Sequence, residues 1–137
     1  IPDAPRLPYR LKTPMGRELV EFPITILERG NLRVPIGGGG YFRFFPYAFS
    51  RWALQSVNKE KHPFVFYIHP WEVDPDQPRI ENAKASSRFR HYLNLDRCEE
   101  RLRQLLGDFP FGTMRESLIE AGLLNGANDP RALRPAA

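Results

Sequence analysis

The feature that most constrains this chain is the apolar run FVFYI at residues 64–68, which is followed by His69 and then by Pro, Trp and Glu at 70–72. Pro63 precedes the run, and a loop rich in Pro and Asp over residues 74–78 follows it. Consecutive aromatic and β-branched residues of this length predict a short strand buried on both faces, as in a parallel sheet. Functional side chains lie at the carboxyl ends of such strands, which makes His69 a candidate for chemistry. The alternative is a histidine that only packs at the end of the strand.

Length and composition restrict the class of protein. A chain of 137 residues has the length of one domain, and its 42% hydrophobic and 26% charged residues are typical of a globular protein. No apolar run approaches the roughly 18 residues that a membrane-spanning helix requires, so we expect no membrane span. The net charge of +4 favours an anionic partner only weakly, because a solvated basic surface gives the same balance.

The beginning of the chain and its cysteine content give expectations about context. The first residues lack the basic segment and the apolar core of a signal peptide, from which we expect a cytoplasmic protein. The chain does not begin with Met, and we therefore expect it to belong to a longer polypeptide. Cys98 is the single cysteine of the sequence, which excludes an internal disulfide, and we expect it to pack as a small hydrophobic residue.

The first half of the chain predicts a hairpin and one long helix. Residues 9–13 and 18–24 indicate two extended runs, and the residues at 13–16 between them have the composition of a tight turn. We expect a loop over residues 28–40, which ends in four consecutive glycines. A helix is predicted over residues 46–59, with proline in its first turn. Helical spacing predicts a buried face made of Phe49, Trp52, Ala53 and Val57.

The second half of the chain predicts two more helices. The first is capped by Asn94 or Asp96 and ends at Gly107. A shorter helix is expected over residues 114–124, and a frayed tail from residue 125 onward. Helices combined with a buried strand predict an α/β fold. The apolar stripe of the first of these helices is predicted to contain Leu95, Cys98, Leu102, Leu105, Leu106 and Phe109.

Common catalytic motifs are absent from the sequence. His62, His69 and His91 show neither a His-x-x-x-His nor a Cys/His spacing, so no metal ligands are predicted in this chain. The serines at 86–87 lack the elbow motif of an activated nucleophile. The glycines at 37–40 lack the Lys-Ser/Thr pair of a phosphate-binding loop.

Two segments combine arginine with aromatic residues. The glycine run continues into Tyr-Phe-Arg-Phe-Phe at residues 41–45, and residues 87–92 alternate Arg with Phe, His and Tyr. Such segments stack nucleobases in nucleic-acid-binding proteins. They also suit a sugar-binding groove, where aromatic faces stack on pyranose rings and polar side chains bind hydroxyls. Composition alone leaves both interpretations open.

The order of several unusual strings resembles one family. The chain is similar to the C-terminal region of polysaccharide deacetylases linked to exopolysaccharide synthesis and exosortase-type loci, a branch of the NodB-homology deacetylases. The resemblance covers roughly residues 2 to 115. The strings that carry it are Tyr9-Arg10, Glu21-Phe22-Pro23, residues 37–43, Pro46-Tyr47, residues 51–54, 66–72, 75–78, 87–92 and 111–114.

The resemblance implies a fold, an activity and a cofactor. It implies the C-terminal part of a distorted (β/α) barrel over residues 1–115, with a short helix and flexible tail over 116–137. Members of the family remove N-acetyl groups from polysaccharide amino sugars, using zinc or another divalent metal held by an Asp-His-His set. This chain lacks the Thr-Phe-Asp-Asp and His-x-x-x-His strings of that set. The metal ligands would therefore belong to the missing N-terminal half of the same enzyme, and the fragment alone would be inactive.

The resemblance also implies roles for individual residues. His69 matches the late histidine that serves as general acid, by its position and its His-Pro-Trp context. Trp71 and Tyr41 are candidates for sugar stacking, and Arg43 and Glu72 for contacts to hydroxyls or to the backbone. The expected partner is a polysaccharide, with no nucleic acid. Three more side chains are candidates for lining the cleft that binds the sugar: Arg88, Arg90 and His91. The alternative is that they form only a solvated basic loop. The alternatives are a non-catalytic carbohydrate-binding module and a basic nucleic-acid-binding domain.

Overall fold

The computed structural model describes residues 5–125, which belong to two compact units. One unit consists of residues 24–110, and the other combines residues 5–23 with residues 111–125. The boundary expected at residue 115 falls within the second of these units. The predicted frayed tail lies, except for its first residue, outside the described residues. No helix within residues 5–125 has the length and apolar character to cross a membrane.

The first strand pair is the hairpin that the sequence predicts. Strand β1 (Tyr9–Lys12) pairs antiparallel with β2 (Glu18–Glu21). Gly16 has a φ of +76° in the turn, a conformation that glycine adopts without steric cost. The Thr13 amide donates to the Arg17 carbonyl oxygen at 2.8 Å, which closes the turn. The hairpin prediction is therefore confirmed.

A second hairpin replaces part of the loop that the sequence predicts after residue 28. Strand β3 (Ile26–Arg29) pairs antiparallel with β4 (Leu32–Pro35), and Gly30 has a φ of +56° in the turn between them. Arg33 Nε donates to Glu28 Oε1 across the hairpin at 2.7 Å. The prediction of a loop here was wrong because charged side chains, which pair with each other, obscure the alternation of apolar residues.

Two helices follow the second hairpin. Helix α1 (Gly39–Phe44) begins inside the glycine run, and helix α2 (Tyr47–Lys59) has Pro46 as its N-cap. The α2 prediction is confirmed, but its buried face is rotated from the expected one. Trp52 is 46% exposed, and its ring lies 5.8 Å from the Arg29 guanidinium carbon. The residues of α2 that are buried are mostly small: Ser50, Ala53, Leu54, Ser56 and Val57.

The rest of this unit is a short turn and two helices. A 3₁₀ turn spans Pro70–Val73, helix α3 spans Ala85–Tyr92, and helix α4 spans Cys98–Asp108. The sequence did not predict α3, which has no buried residue. Helix α4 was predicted, but it continues through Gly107 for one more residue, and Leu106 is 54% exposed. The members of its predicted stripe that are buried are Leu95, Cys98, Leu105 and Phe109.

Aromatic side chains join the helices to the extended segment at residues 64–68. The Phe42 ring meets Phe66 edge to face with centroids 5.0 Å apart, and Phe64 meets Phe109 in the same way at 5.2 Å. Burial of these rings and their edge-to-face contacts both contribute to the stability of the core. The buried residues of this core are Leu27, Ile36, Phe42, Ala53, Leu54, Val57, Cys98, Leu105 and Phe109.

The segment at residues 64–68 is extended, but the prediction that it is a strand buried on both faces was wrong. Its side chains are at most partly buried, and Tyr67 is 41% exposed. One parallel bridge pairs Tyr67 with Gly38. The Val65 amide donates to Thr25 Oγ1 at 2.7 Å, and this hydroxyl donates to the Val65 carbonyl at 2.8 Å. The glycine run and one threonine therefore provide the hydrogen bonds that neighbouring strands would provide in a parallel sheet.

The strands of residues 5–125 form two separate two-stranded antiparallel sheets. With five α-helices, this makes the described chain a mixed α/β structure. The sequence predicts that this chain is the C-terminal part of a distorted (β/α) barrel. The rest of that barrel would belong to a longer polypeptide, so the barrel stays a prediction.

The last helix belongs to the same unit as β1 and β2. Helix α5 (Met114–Glu120) begins with a capping box, in which the Thr113 hydroxyl accepts from the Glu116 amide and the Glu116 carboxylate accepts from the Thr113 amide. The hydrogen bonds that the Glu116 carboxylate accepts from the Thr113 amide and from the Thr113 hydroxyl lower the pKa of Glu116. The helix ends four residues earlier than predicted, because Gly122 adopts a φ of +69°. The Gly122 carbonyl oxygen accepts a hydrogen bond of 3.1 Å from Arg10 Nη2.

Close contacts explain three of the four consecutive glycines. A Cβ at Gly37 would lie 2.5 Å from the Val65 carbonyl oxygen, and one at Gly38 would lie 2.6 Å from the Tyr67 ring. A Cβ at Gly39 would overlap the Glu72 carboxylate, whereas one at Gly40 would meet nothing within 4 Å. The run therefore allows residues 65–72 to approach the backbone of residues 37–39.

We predict opposite effects for alanine at two neighbouring glycines. Gly39→Ala should lower the free energy of unfolding by about 1–3 kcal/mol, because the methyl group displaces a buried carboxylate. Gly40→Ala should be neutral or should raise it by about 0.5–1 kcal/mol, because alanine is favoured in an open helical position. Urea unfolding of both variants measures the difference. Equal stabilities would contradict this account of the glycine run.

Candidate functional site

A buried ion pair lies at the centre of the candidate site. Arg43 on α1 and Glu72 in the 3₁₀ turn are each 2% exposed. Arg43 Nη2 and Nε donate to Glu72 Oε1 at 3.1 and 3.3 Å. Arg43 Nη1 donates to the backbone carbonyl oxygens of Arg90, His91 and Leu93 at 3.3, 2.9 and 2.9 Å. One guanidinium therefore connects α1, the 3₁₀ turn and the end of α3.

The second oxygen of the same carboxylate fixes the backbone of the candidate catalytic residue. Glu72 Oε2 accepts a hydrogen bond of 2.9 Å from the His69 amide. The absence of a side chain at Gly39 leaves room for this carboxylate. The position of His69 thus depends on a group that solvent does not reach.

The structure assigns Arg43 and Glu72 a different role from the one the sequence suggests. The sequence predicts that both contact a substrate. Both side chains are instead buried, and they use their hydrogen-bonding groups on each other and on the backbone. Removing such groups from the protein interior to bind a sugar would leave buried charges without partners. We therefore exclude both from the surface that could contact a ligand.

His69 itself is exposed and belongs to a row of rings. Its imidazole lies nearly parallel to the Trp71 indole, with centroids 5.9 Å apart and planes 9° apart. Tyr67 meets the same imidazole edge to face at 5.7 Å. His91 stacks on Trp71 with centroids 4.2 Å apart. The structure therefore brings together three of the predicted site residues, and His69 is the one of them that is exposed.

A cleft of about 400 Å³ lies beside this row. Four of its aromatic side chains are between 41% and 59% exposed, so their surfaces are available to a ligand. Tyr67 both lines the cleft and contacts His69, which connects the two features. An apolar cleft of this volume is within the range of small-molecule sites. The residues that line it are Gly40, Tyr41, Phe44, Phe45, Tyr67, Phe89, Arg90 and Leu93.

Predicted and observed cleft residues overlap only in part. Tyr41 and Arg90 line the cleft, whereas Arg88 and His91 do not. The sequence analysis missed Tyr67, Phe44 and Phe89 as cleft residues. Alternation could have identified Tyr67, since residues two apart in an extended segment share a face and His69 follows it by two. Phe44 and Phe89 belong to the two segments that combine arginine with aromatic residues, but the sequence did not predict that α1 and α3 bring them to one cleft.

The described residues do not fit a metal centre. Within residues 5–125, no three His, Cys, Asp or Glu side chains converge in a way that could hold a metal ion. His91 Nε2 is bonded to Gln77 Oε1 at 2.8 Å, so this nitrogen is not available to a metal ion. A zinc ion would therefore need ligands from elsewhere in a longer polypeptide.

Comparison with protein families gives a match over most of the chain. Residues 1–119 match the model of a family described as "Domain of unknown function (DUF3473)". The chain belongs to this family. No curated protein and no solved structure matches the chain.

The buried cysteine of this DUF3473 domain lies close to the ion pair. Cys98 is 0% exposed, and burial raises the pKa of its thiol from 9.0 to about 11. The Glu72 carboxylate also raises this pKa, while Arg43 and Arg101 lower it. Because the thiolate is the reactive form, the native thiol should be inert at neutral pH.

We predict that Cys98 reacts slowly in the folded DUF3473 domain. At pH 8 the raised pKa alone should slow alkylation by iodoacetamide roughly a hundredfold relative to the chain unfolded in guanidinium. The raised pKa also makes the free energy of unfolding depend on pH. The stability that Cys98 contributes as a neutral thiol is fully present below pH 9 and is lost as the pH rises towards 11. Mass spectrometry measures the rate, and equal rates in both states would contradict the prediction.

Proposed function

We propose that this chain is the C-terminal portion of a polysaccharide N-deacetylase that hydrolyses N-acetyl groups of amino sugars in exopolysaccharide biosynthesis. The observation that carries the proposal is the exposed His69 imidazole beside an aromatic cleft, on a backbone fixed by a buried carboxylate. The association of the DUF3473 family with the C-termini of polysaccharide deacetylases supports it further.

In this proposal His69 is the general acid. Its imidazolium donates a proton to the amine nitrogen of the sugar as the carbon–nitrogen bond of the amide breaks. The neutral imidazole then regains a proton from water. Histidine suits this step because its pKa lies near physiological pH in the absence of strong perturbation.

The other catalytic groups are proposed to come from the N-terminal half of the same enzyme. That half would supply the carboxylate that acts as base and the ligands of zinc or another divalent metal. Residues 5–125 contain no converging set of such ligands, so none of the steps described for this chain involves the metal. The proposed partners are that half and the polysaccharide.

We predict that His69→Ala in the full-length enzyme lowers kcat by about a hundredfold or more, the usual contribution of a general acid. The free energy of unfolding should change by less than about 1 kcal/mol, because the imidazole is exposed. Acetate release from an N-acetylated oligosaccharide measures turnover.

His62→Ala is the matched control, since His62 is a histidine of the loop before the extended segment. It should keep wild-type turnover. Activity of His69→Ala within a few-fold of the wild type would mean that His69 only packs against its neighbours.

A second function is favoured by the cleft itself. A non-catalytic carbohydrate-binding module requires exposed aromatic rings and no catalytic acid. Tyr41 and Phe89, which line the cleft, are 45% and 59% exposed. Aromatic faces of this kind stack on the apolar faces of pyranose rings.

We predict that the chain binds a neutral N-acetylated oligosaccharide through the cleft. Tyr41→Ala and Phe89→Ala should each weaken binding by about 0.5–1.5 kcal/mol, which is roughly two- to twelvefold in Kd. Trp52→Ala is the control, because Trp52 is 46% exposed and does not line the cleft. Calorimetric titration measures Kd.

Salt dependence separates this function from nucleic-acid binding. Affinity for a neutral sugar should be nearly independent of salt concentration, whereas affinity for a nucleic acid falls steeply as the salt concentration rises.

The Trp52 control tests where the sugar binds. If Trp52→Ala loses as much affinity as Tyr41→Ala and Phe89→Ala, the cleft is excluded as the binding surface.

A further inference from the structure

The amide of Gln77 has a defined orientation. Its Nε2 donates to the backbone carbonyl oxygens of Trp71 at 2.7 Å and Asp74 at 2.9 Å. Both partners are acceptors, so the nitrogen must face them and Oε1 must face the other way. Oε1 lies 2.8 Å from His91 Nε2. The proton of the neutral His91 imidazole therefore belongs on Nε2, because a carbonyl oxygen can only accept.

This hydrogen bond fixes the plane of the His91 ring, which in turn covers an indole. His91 stacks on Trp71 with centroids 4.2 Å apart and planes 13° apart. Tyr92 supports His91 edge to face at 4.6 Å. The guanidinium carbon of Arg43 lies 5.1 Å from the centre of the Trp71 indole. The indole is thus held by contacts that do not involve His69.

The His69 imidazole depends on that indole for its orientation. Glu72 fixes the His69 backbone amide, and the capping box of the 3₁₀ turn brings the His69 side chain to the Glu72 amide, which leaves the plane of the imidazole to be set by its ring contacts. Exposed side chains change rotamer within picoseconds to nanoseconds. The rings that contact this imidazole are Tyr67, edge to face, and Trp71, nearly parallel.

We propose that Gln77 and His91 are positioning residues that hold the Trp71 indole parallel to the His69 imidazole and so fix the orientation of that imidazole. The value of this positioning for catalysis rests on the proposed function of His69. An acid held in one orientation presents its proton to the leaving group without first losing rotational freedom.

This role replaces the one predicted from sequence for His91. The sequence suggests that His91 lines the cleft and contacts a substrate. Its ring is instead partly buried, its Nε2 is bonded to Gln77, and one of its faces is stacked on Trp71. It therefore acts through Trp71 and not by contact with a ligand.

The test compares two substitutions of His91 in the full chain by nuclear magnetic resonance. The measurement is the set of ring-proton chemical shifts of His69, recorded above the pH range in which imidazoles titrate. His91→Leu removes the stacking ring, and the His69 shifts should move most of the way to the values of an unstructured peptide. His91→Phe keeps a planar ring against the indole and should retain most of the wild-type displacement.

Two further variants distinguish positioning from general loss of structure. Gln77→Leu removes only the hydrogen bond to His91 and should give a smaller displacement of the His69 signals in the same direction. His62→Ala should leave them unchanged. Nitrogen-15 spectra of the wild type should give His91 as the Nε2–H tautomer.

The inference is wrong if His69 keeps its wild-type shifts in both His91→Leu and Gln77→Leu. It is also wrong if His91→Phe is displaced as far as His91→Leu in folded protein. Because the His91 and Gln77 variants are judged by chemical shifts and not by turnover, these outcomes are independent of whether His69 is a general acid. Inactivity of His69→Ala with unchanged shifts in the His91 variants would support the proposed function and reject the positioning role.

Discussion

The structure of residues 24–110 depends on the buried pair of Arg43 and Glu72. Taking two charges out of water costs several kcal/mol each, and their attraction offsets this only when every remaining donor and acceptor is also satisfied. Here the guanidinium bonds three backbone carbonyls besides the carboxylate, and the carboxylate accepts the His69 amide. No buried side-chain nitrogen or oxygen in residues 5–125 lacks a hydrogen-bond partner. The pair is therefore a connector between segments as well as a source of stability.

Side chains in this unit provide hydrogen bonds to backbone groups at the end of α1 and in the extended segment at residues 64–68. Arg101 Nη1 donates at 3.3 Å to each of three carbonyls near the end of α1, and Asn94 Nδ2 donates at 2.7 Å to the Arg43 carbonyl. Thr25 satisfies both backbone groups of Val65 in the same way. Helix ends leave carbonyls without partners, and cations near a helix C-terminus are favourable. The arginines that raise the net charge thus have structural partners in several cases.

Local signals predicted the elements that carry them. The turn at residues 13–16 and the proline before α2 each specify a boundary within a few residues. The extended segment was recognised from its apolar run, but such a run does not reveal whether the neighbour is a sheet or a glycine backbone. Helix α3 was missed because none of its residues is buried, so it lacks the apolar stripe from which helical periodicity is recognised. The position of His69 beside a cleft was expected, and its catalytic role stays a prediction.

The Glu72 carboxylate occupies the space that a Cβ at residue 39 would need, and this has a consequence for the evolution of the sequence. A side chain at residue 39 would displace the Glu72 carboxylate. Without that carboxylate, the buried guanidinium of Arg43 would lose its ion-pair partner. Each intermediate along a path that changes these three positions one at a time is therefore less fit to fold. The three residues should therefore be inherited together, even between proteins whose exposed surfaces differ.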